Sequence, residues 1–482
     1  MSDASWVDAP LVDAWSQARA RAAHSMQIPG HKMRYGRSAE TPFAAGVLAP
    51  LIRDDIPLQG GADDNVFSGR VLERAEELWA QAIAADHARF LVGGSTQGNI
   101  AALTSVVAPN VTICIDRTSH RSAHAGLVTS GATPRWILPR IHPDFGVPIG
   151  VGADSVDMTD AYALFVTSPA YVGTITDVAP LADLCHRQQA VLIVDQAWGA
   201  HLDFLPGMGA HANGADVVTT SVHKALTGYS QTAVTSLRGG RVLPSTLSHG
   251  VDLTATTSPS ATLLASIDAT RVALQRDGGR QLALVTEAVC DARRTLSAIP
   301  GVVALDEGLL GCSVDPLKLT LWVPNTGTTG AAIGAELWSR GIGVEAADAD
   351  TVIMTVSIAD DPGTVAELVA AVASVVESLR DTPRKPAPAA TWQVEPEVVL
   401  SPRDAYFAHR RRLPLREAVG QVSTEQFCPY PPGVPLLAPG ERVTSEVVEA
   451  IEVAGRSTRM AYCSDPTAQT VEVVAEVTER SL

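Results

Sequence analysis

Two residues near the middle of the chain have the types and spacing for amine–aldehyde chemistry. Lys224 ends Ser221-Val-His-Lys224, directly after the β-rich run Val217-Val-Thr-Thr220. A lysine just past a buried strand can be held with its amine partly desolvated, which lowers its proton affinity and suits it to attack a carbonyl. Asp195 ends a second apolar run, Val191-Leu-Ile-Val194, 29 residues before Lys224. A cofactor of the pyridoxal phosphate type needs such a pair, the lysine for its aldehyde and the acid for its pyridine nitrogen. The protonated ring then withdraws electrons from a substrate α-carbon. Taken singly, Lys224 reads as a surface charge and Asp195 as a helix cap; together they point to the cofactor.

Other residues add to the pair. Gly93-Gly-Ser-Thr-Gln-Gly-Asn99 runs into a helical pattern over 100–107. Backbone N–H groups and hydroxyls at a helix start form an anion site suited to a phosphate, although alone the segment reads as an ordinary N-cap. It matches neither the Walker loop nor the dinucleotide fingerprint, which counts against a nucleotide-dependent enzyme. Asp116-Arg-Thr-Ser-His120 follows another strand, and the His120 imidazole can stack on a flat ring. His120 and His124 are four apart, but no third ligand accompanies them, so no metal is expected. His201 reads as structural or as lining the site.

These residues need a scaffold that gathers distant loops. Short unalternated apolar runs at 90–92, 111–115, 163–167, 191–194 and 217–220 are separated by helical stretches. That pattern predicts a mainly parallel α/β sheet buried on both faces. Each run ends in a polar or glycine-rich cluster, where open α/β sheets bind ligands. After about residue 260 a long helical stretch over 263–296 leads to a second α/β pattern, with strands expected at 318–323, 343–345 and 351–356. The expected organisation is an N-terminal segment at 1–45, a large cofactor-binding domain at 46–290 and a small α/β domain at 291–380. A Pro/Ala-rich linker at 381–398 leads to a C-terminal α+β domain at 399–482.

Composition limits the function classes. Apolar types make up 46% of the 482 residues and charged types 18%, an ordinary globular mixture. The net charge of −16 argues against nucleic acid or an anionic membrane surface as partner. No zinc-type cysteine spacing, signal-peptide pattern or membrane-length apolar run is present, so a cytoplasmic protein is expected.

Eight segments in order carry a family resemblance: Ile28-Pro-Gly-His-Lys32, Gly94-Ser-Thr-Gln-Gly-Asn99, Asp116-Arg-Thr-Ser-His120, Thr167-Ser-Pro-Ala-Tyr171, Val194-Asp-Gln-Ala-Trp-Gly-Ala-His201, Ser221-Val-His-Lys224, Thr257-Ser-Pro-Ser260 and Pro429-Tyr-Pro-Pro-Gly-Val-Pro-Leu-Leu-Ala-Pro-Gly440. Over nearly the whole chain they resemble the compact branch of the bacterial ornithine/lysine/arginine decarboxylases, of the aspartate-aminotransferase-like fold type I. The resemblance implies pyridoxal 5'-phosphate as cofactor and α-decarboxylation of lysine, arginine or ornithine. It implies that Lys224 carries the cofactor and that Asp195 pairs with the pyridine nitrogen. Ser95, Thr96, Ser221 and His223 would hold the phosphate, with Gln97 beside them. His120 would stack on the ring, opposite Ala197. Thr257 or Ser258 would reach the phosphate of a neighbouring subunit in a homodimer or larger homo-oligomer. His223 or Lys224 would return a proton to the α-carbon. His201 and Glu425 are the candidates on the substrate side, with a solvated surface charge as the alternative for Glu425.

The chain departs from the family pattern at Gln196, where Glu is usual, at 63–69, which lacks His-Pro-Glu, and at Phe427-Cys428. The closest rival is an aminotransferase, lyase or oxidase with the same cofactor. Aminotransferases of this fold hold the α-carboxylate with a small-domain arginine, for which Arg340 is the candidate.

Overall fold

The computed structural model describes residues 9–21, 29, 54–63, 70–387, 394–430, 433–457 and 460–475. Most of the 28–32 motif, the departure at 64–69, residues 388–393 of the linker and residues 431–432 of the proline motif lie outside the described residues.

A seven-stranded sheet forms the large domain. Its strands are β1 (His87–Leu91), β2 (Thr112–Asp116), β3 (Thr133–Ile137), β4 (Ala161–Thr167), β5 (Val191–Asp195), β6 (Val217–Ser221) and β7 (Ala233–Leu237). Their order is β1-β7-β6-β5-β4-β2-β3. From β3 to β6 all pairings are parallel, and β7 runs antiparallel to both of its neighbours. Period-two alternation explains the continuous apolar runs. Ile113, Phe165, Ile193 and Val217 enter one core, while Cys114, Leu164, Leu192 and Val218 enter the other. The helix Gly94–Val106 packs on the first face. A side-chain carbon at Gly98 would lie 2.5 Å from the Thr219 methyl, so this close approach of helix to β6 requires glycine.

The five runs read from the sequence are strands. β3 and β7 lie beyond the five expected runs; Pro134 and Arg135 interrupt the apolar pattern of β3. The stretch 263–296 is two helices, Ala261–Ala273 and Gly279–Ser297, joined by the wider turn Leu274–Gly278.

The small domain has β8 (Val303–Ala304), β9 (Lys318–Trp322), β10 (Ala346–Ala347) and β11 (Thr351–Thr355), all pairings antiparallel, in the order β10-β11-β9-β8. Helix Gly279–Ser297 buries Leu282, Val285, Val289 and Leu296 in the core of this domain, so residue 290 falls inside an element that belongs to one packing unit. The strand expected at 343–345 is displaced to β10. The segment before it, with Gly341 and Gly343, stays out of the sheet and leaves Glu345 at a bend.

The C-terminal unit pairs β12 (Arg410–Pro414) with β15 (Thr470–Val474), and β13 (Cys428–Tyr430) with β14 (Met460–Tyr462). A buried ion pair fastens it to the large domain. The two Glu441 oxygens accept from the Arg117 guanidinium at 2.5 and 2.9 Å, and Arg117 also donates to the Leu436 carbonyl at 3.1 Å.

Candidate active site

Asp116, Thr167, Asp195 and Ser221 are the last residues of four parallel strands, and the loops beyond them enclose a cavity of about 440 Å³. Ser95, His120, Asp195, Ala197, His223 and Lys224 line it, together with Trp198, Tyr171, Glu345, Thr355, Ser357 and Val434. The wall is therefore shared by the large domain, the small domain and the proline motif of the C-terminal unit.

Asp195 is buried, and each of its oxygens takes one donor. The Asn99 amide donates to Oδ2 at 2.7 Å and the Ala197 N–H to Oδ1 at 3.0 Å. Burial raises its proton affinity, against which Lys224, Asn99 and the Ala197 N–H favour the carboxylate. The other Asn99 N–H donates to Ser122 Oγ at 2.9 Å, and Ser122 Oγ lies 2.9 Å from His120 Nδ1. The Ser122 backbone N–H also donates to that nitrogen, so Nδ1 is the acceptor and the ring proton sits on Nε2. Burial, reinforced by the charges of Lys224 and Arg121, holds the His120 pKa down to about 3, so the ring is neutral. A neutral, fixed imidazole facing the cavity suits a stacking surface.

Lys224 is half-buried, its Nζ 3.8 Å from the centroid of the Trp198 ring. Desolvation lowers its proton affinity while Asp195 and Glu345 oppose the shift. His223 Nδ1 is 2.8 Å from the Thr232 carbonyl, which only accepts, so Nδ1 carries the proton and Nε2 is free as an acceptor in the neutral ring.

These residues fit pyridoxal phosphate. Ser221 Oγ and Thr167 Oγ1 are buried without a hydrogen-bond partner, an arrangement that costs about 1–3 kcal/mol per group unless a ligand supplies one. Ser95 in the first turn of a helix, the held carboxylate of Asp195 and the desolvated amine of Lys224, all in the lining, match the phosphate, pyridine and aldehyde ends of the cofactor; Ser221 is fully buried and lies outside the lining. Among the described residues, no group of three or more His, Cys, Asp or Glu could hold a metal.

Several expected site residues lie elsewhere. Gln97 turns back to accept the Gly93 N–H at 3.0 Å, and Thr96 is exposed; neither lines the cavity. Thr257 and Ser258, expected at the site of a neighbouring subunit, sit on an exposed turn. His201 is fully buried, its Nε2 2.8 Å from Asp315 Oδ1, and does not reach the cavity. Glu425 takes hydrogen bonds from the Ser464 N–H and hydroxyl and from the Glu472 N–H, which ties its carboxylate inside the C-terminal unit. Gln196 spans Asp203 and the Ala210 N–H outside the cavity, so that departure from the family pattern leaves the lining unchanged. Arg340 is exposed and bonded to Glu336 and Ser374.

Sequence reasoning missed Asn99, Trp198, Lys318, Glu345 and Val434. Asn99, Trp198 and Val434 stand within segments read as motifs, whereas Lys318 and Glu345 lie in the small domain, where no spacing tied them to Lys224.

Comparison with known proteins agrees with this geometry. Residues 9–308 match the Orn/Lys/Arg decarboxylase major domain and residues 387–460 its C-terminal domain. An arginine decarboxylase of Halalkalibacterium halodurans is 31% identical over 466 residues, covering 93% of this chain and 94% of the relative. An arginine decarboxylase of Bacillus subtilis is likewise 31% identical, over 92% and 93%. The lysine decarboxylase LdcA of Pseudomonas aeruginosa is 22% identical, covering 90% of this chain and 74% of the relative. Among solved structures, the Francisella novicida lysine decarboxylase LdcF superposes with a TM-score of 0.79 at 18% identity, covering 97% of this chain and 81% of that one. An aspartate aminotransferase of Thermus thermophilus superposes with a TM-score of 0.52 over 64% of this chain and 90% of its own. The fold is that of fold type I enzymes, and the chain belongs to the Orn/Lys/Arg decarboxylase family.

Proposed function

We propose that this protein removes the α-carboxylate of a basic amino acid as CO2, with arginine the first substrate to test and pyridoxal 5'-phosphate the cofactor. The observation that carries the reading is the meeting of Lys224 and Asp195 in one cavity with Glu345 on the opposite, small-domain wall. Glu345 and Asp195 are the acidic side chains of the lining, and Asp195 is already held by Asn99 and Ala197. Glu345 therefore takes over the distal-cation role first considered for Glu425. The names of the relatives favour arginine.

Bound here, pyridoxal phosphate supplies an aldehyde for amine condensation and a protonated ring that receives the electron pair of the broken bond. Asp195 would keep the pyridine nitrogen protonated. Ser95 and Ser221 would hold the phosphate, with His223 beside them. His120 and Ala197 form ring-facing walls. After CO2 leaves, the α-carbon needs one proton. His223 Nδ1–H is committed to Thr232, and burial lowers the proton affinity of the ring. Lys224 Nζ is accordingly the donor. Arg340, which an aminotransferase would aim at the α-carboxylate, is instead paired with Glu336 at the surface; this favours decarboxylation over the rival. The exposed turn at Thr257 and Ser258 is available to a second copy, in keeping with a homodimer.

The test is to incubate the purified protein and pyridoxal phosphate with arginine, lysine or ornithine. Equal amounts of CO2 and the matching amine are expected, with arginine turned over fastest. Keto acid without CO2 would overturn the reading.

A further inference from the structure

A second lysine stands behind the wall of the site. Lys318, the first residue of β9 in the small domain, is buried at 2% exposure. Its Nζ lies 3.9 Å from the centroid of the Trp198 ring and donates to Thr355 Oγ1 at 2.9 Å. The same indole carries the Lys224 ammonium at 3.8 Å, so two amines share one ring. The fit is tight. A side-chain carbon at Gly173 would lie 2.7–2.8 Å from the Lys318 stem, and the Arg293 guanidinium fixes the Lys318 carbonyl at 2.6 Å.

We propose that Lys318 is a positioning residue for Lys224: through Trp198 it seats the Lys224 amine, and its charge disfavours a proton on that amine when the cofactor is released. The inference rests on the reading of Lys224 as the cofactor lysine. The groups facing Lys318 are Asp315, Glu345 and Lys224, with His201 behind Asp315; those facing Lys224 are Asp195, Glu345, His120, His223 and Lys318. Desolvation and the neighbouring Lys224 charge hold the pKa of Lys318 down to about 8 against Asp315 and Glu345, so near neutral pH it still carries most of a positive charge. A second cation beside an amine lowers its proton affinity. Removing that cation raises the affinity, leaving less of the free amine that attacks an aldehyde.

The experiment adds pyridoxal phosphate to apo-protein across a range of pH and follows the visible absorbance band of the lysine-bound cofactor, without substrate. In Lys318→Met the rate at pH 7, where Lys318 of the wild type is charged, is expected to be about tenfold lower. Lys318→Arg, which keeps the charge, should stay close to wild type. A Lys318→Met rate at pH 7 equal to wild type would overturn the inference. Should circular dichroism show Lys318→Met misfolded, Thr355→Val carries the test: it frees Lys318 from its anchor and should lower the rate at pH 7 by a smaller factor, and an unchanged rate would overturn the inference. No visible band in wild type would instead overturn the cofactor reading itself.

Discussion

Asn99 sets the state of the acid at the base of the site. Its two amide protons are spent on Asp195 Oδ2 and Ser122 Oγ, and Ser122 in turn fixes the tautomer of His120. One buried side chain thus orients both the group expected to face the pyridine nitrogen and the group expected to face the ring. Asn99→Ala removes a hydrogen bond to a charged group, worth about 1.5–3 kcal/mol. Asp195 then loses a donor that favours its carboxylate form. Pyridoxal phosphate affinity, measured by absorbance titration, is expected to fall by about tenfold or more. Ser122→Ala, which leaves the Asp195 contact in place, should have a smaller effect. An Asn99→Ala protein that binds the cofactor as tightly as wild type would remove Asn99 from the site.

The elements show why some of this was legible in the sequence and some was not. β2, β4, β5 and β6 are almost wholly buried, so their sequences are dominated by apolar and β-branched residues and their ends could be read to within a residue or two. Their polar terminal residues, Asp116, Thr167, Asp195 and Ser221, inherit that precision. Lys224 and Asp195 were legible because parallel neighbours end at the same edge of the sheet. The small-domain contribution was not. β9 reads as an ordinary core strand, and nothing in Lys-Leu-Thr-Leu-Trp says that its lysine folds back under Trp198. Glu345 was read as part of a strand, whereas it stands at a bend just before the chain enters the sheet at β10, and its side chain lines the cavity. Glu425 was misjudged for the converse reason. Its place before the proline motif put it near the site in sequence, but Ser464 and Glu472, some forty residues on, claim the carboxylate.

The whole molecule builds the site from three packing units. The proline motif contributes Val434 to the cavity because Arg117 and Arg121, on the loop and helix beyond β2, hold the C-terminal unit through Glu441, the Leu436 carbonyl and the Gly433 carbonyl. Arg117→Met leaves the Glu441 carboxylate buried without its partner, a loss of about 3–5 kcal/mol. Urea unfolding should show this loss, and the Arg117→Met/Glu441→Leu double variant should recover most of it. A double variant no more stable than the single one would show that the charge pair is not what fastens the unit. The net charge of −16, which spoke against nucleic acid, is compatible with attraction of a cationic amino acid, but the carboxylate proposed to meet it is Glu345 in the cavity lining. The central claim is that Lys224 carries the cofactor aldehyde in this cavity. It is tested most directly by reducing the pyridoxal-phosphate-loaded protein with borohydride and mapping the modified peptide by mass spectrometry. A phosphopyridoxyl group on Lys224 is the predicted result; a group confined to Lys318 or another lysine, or none, would contradict the account.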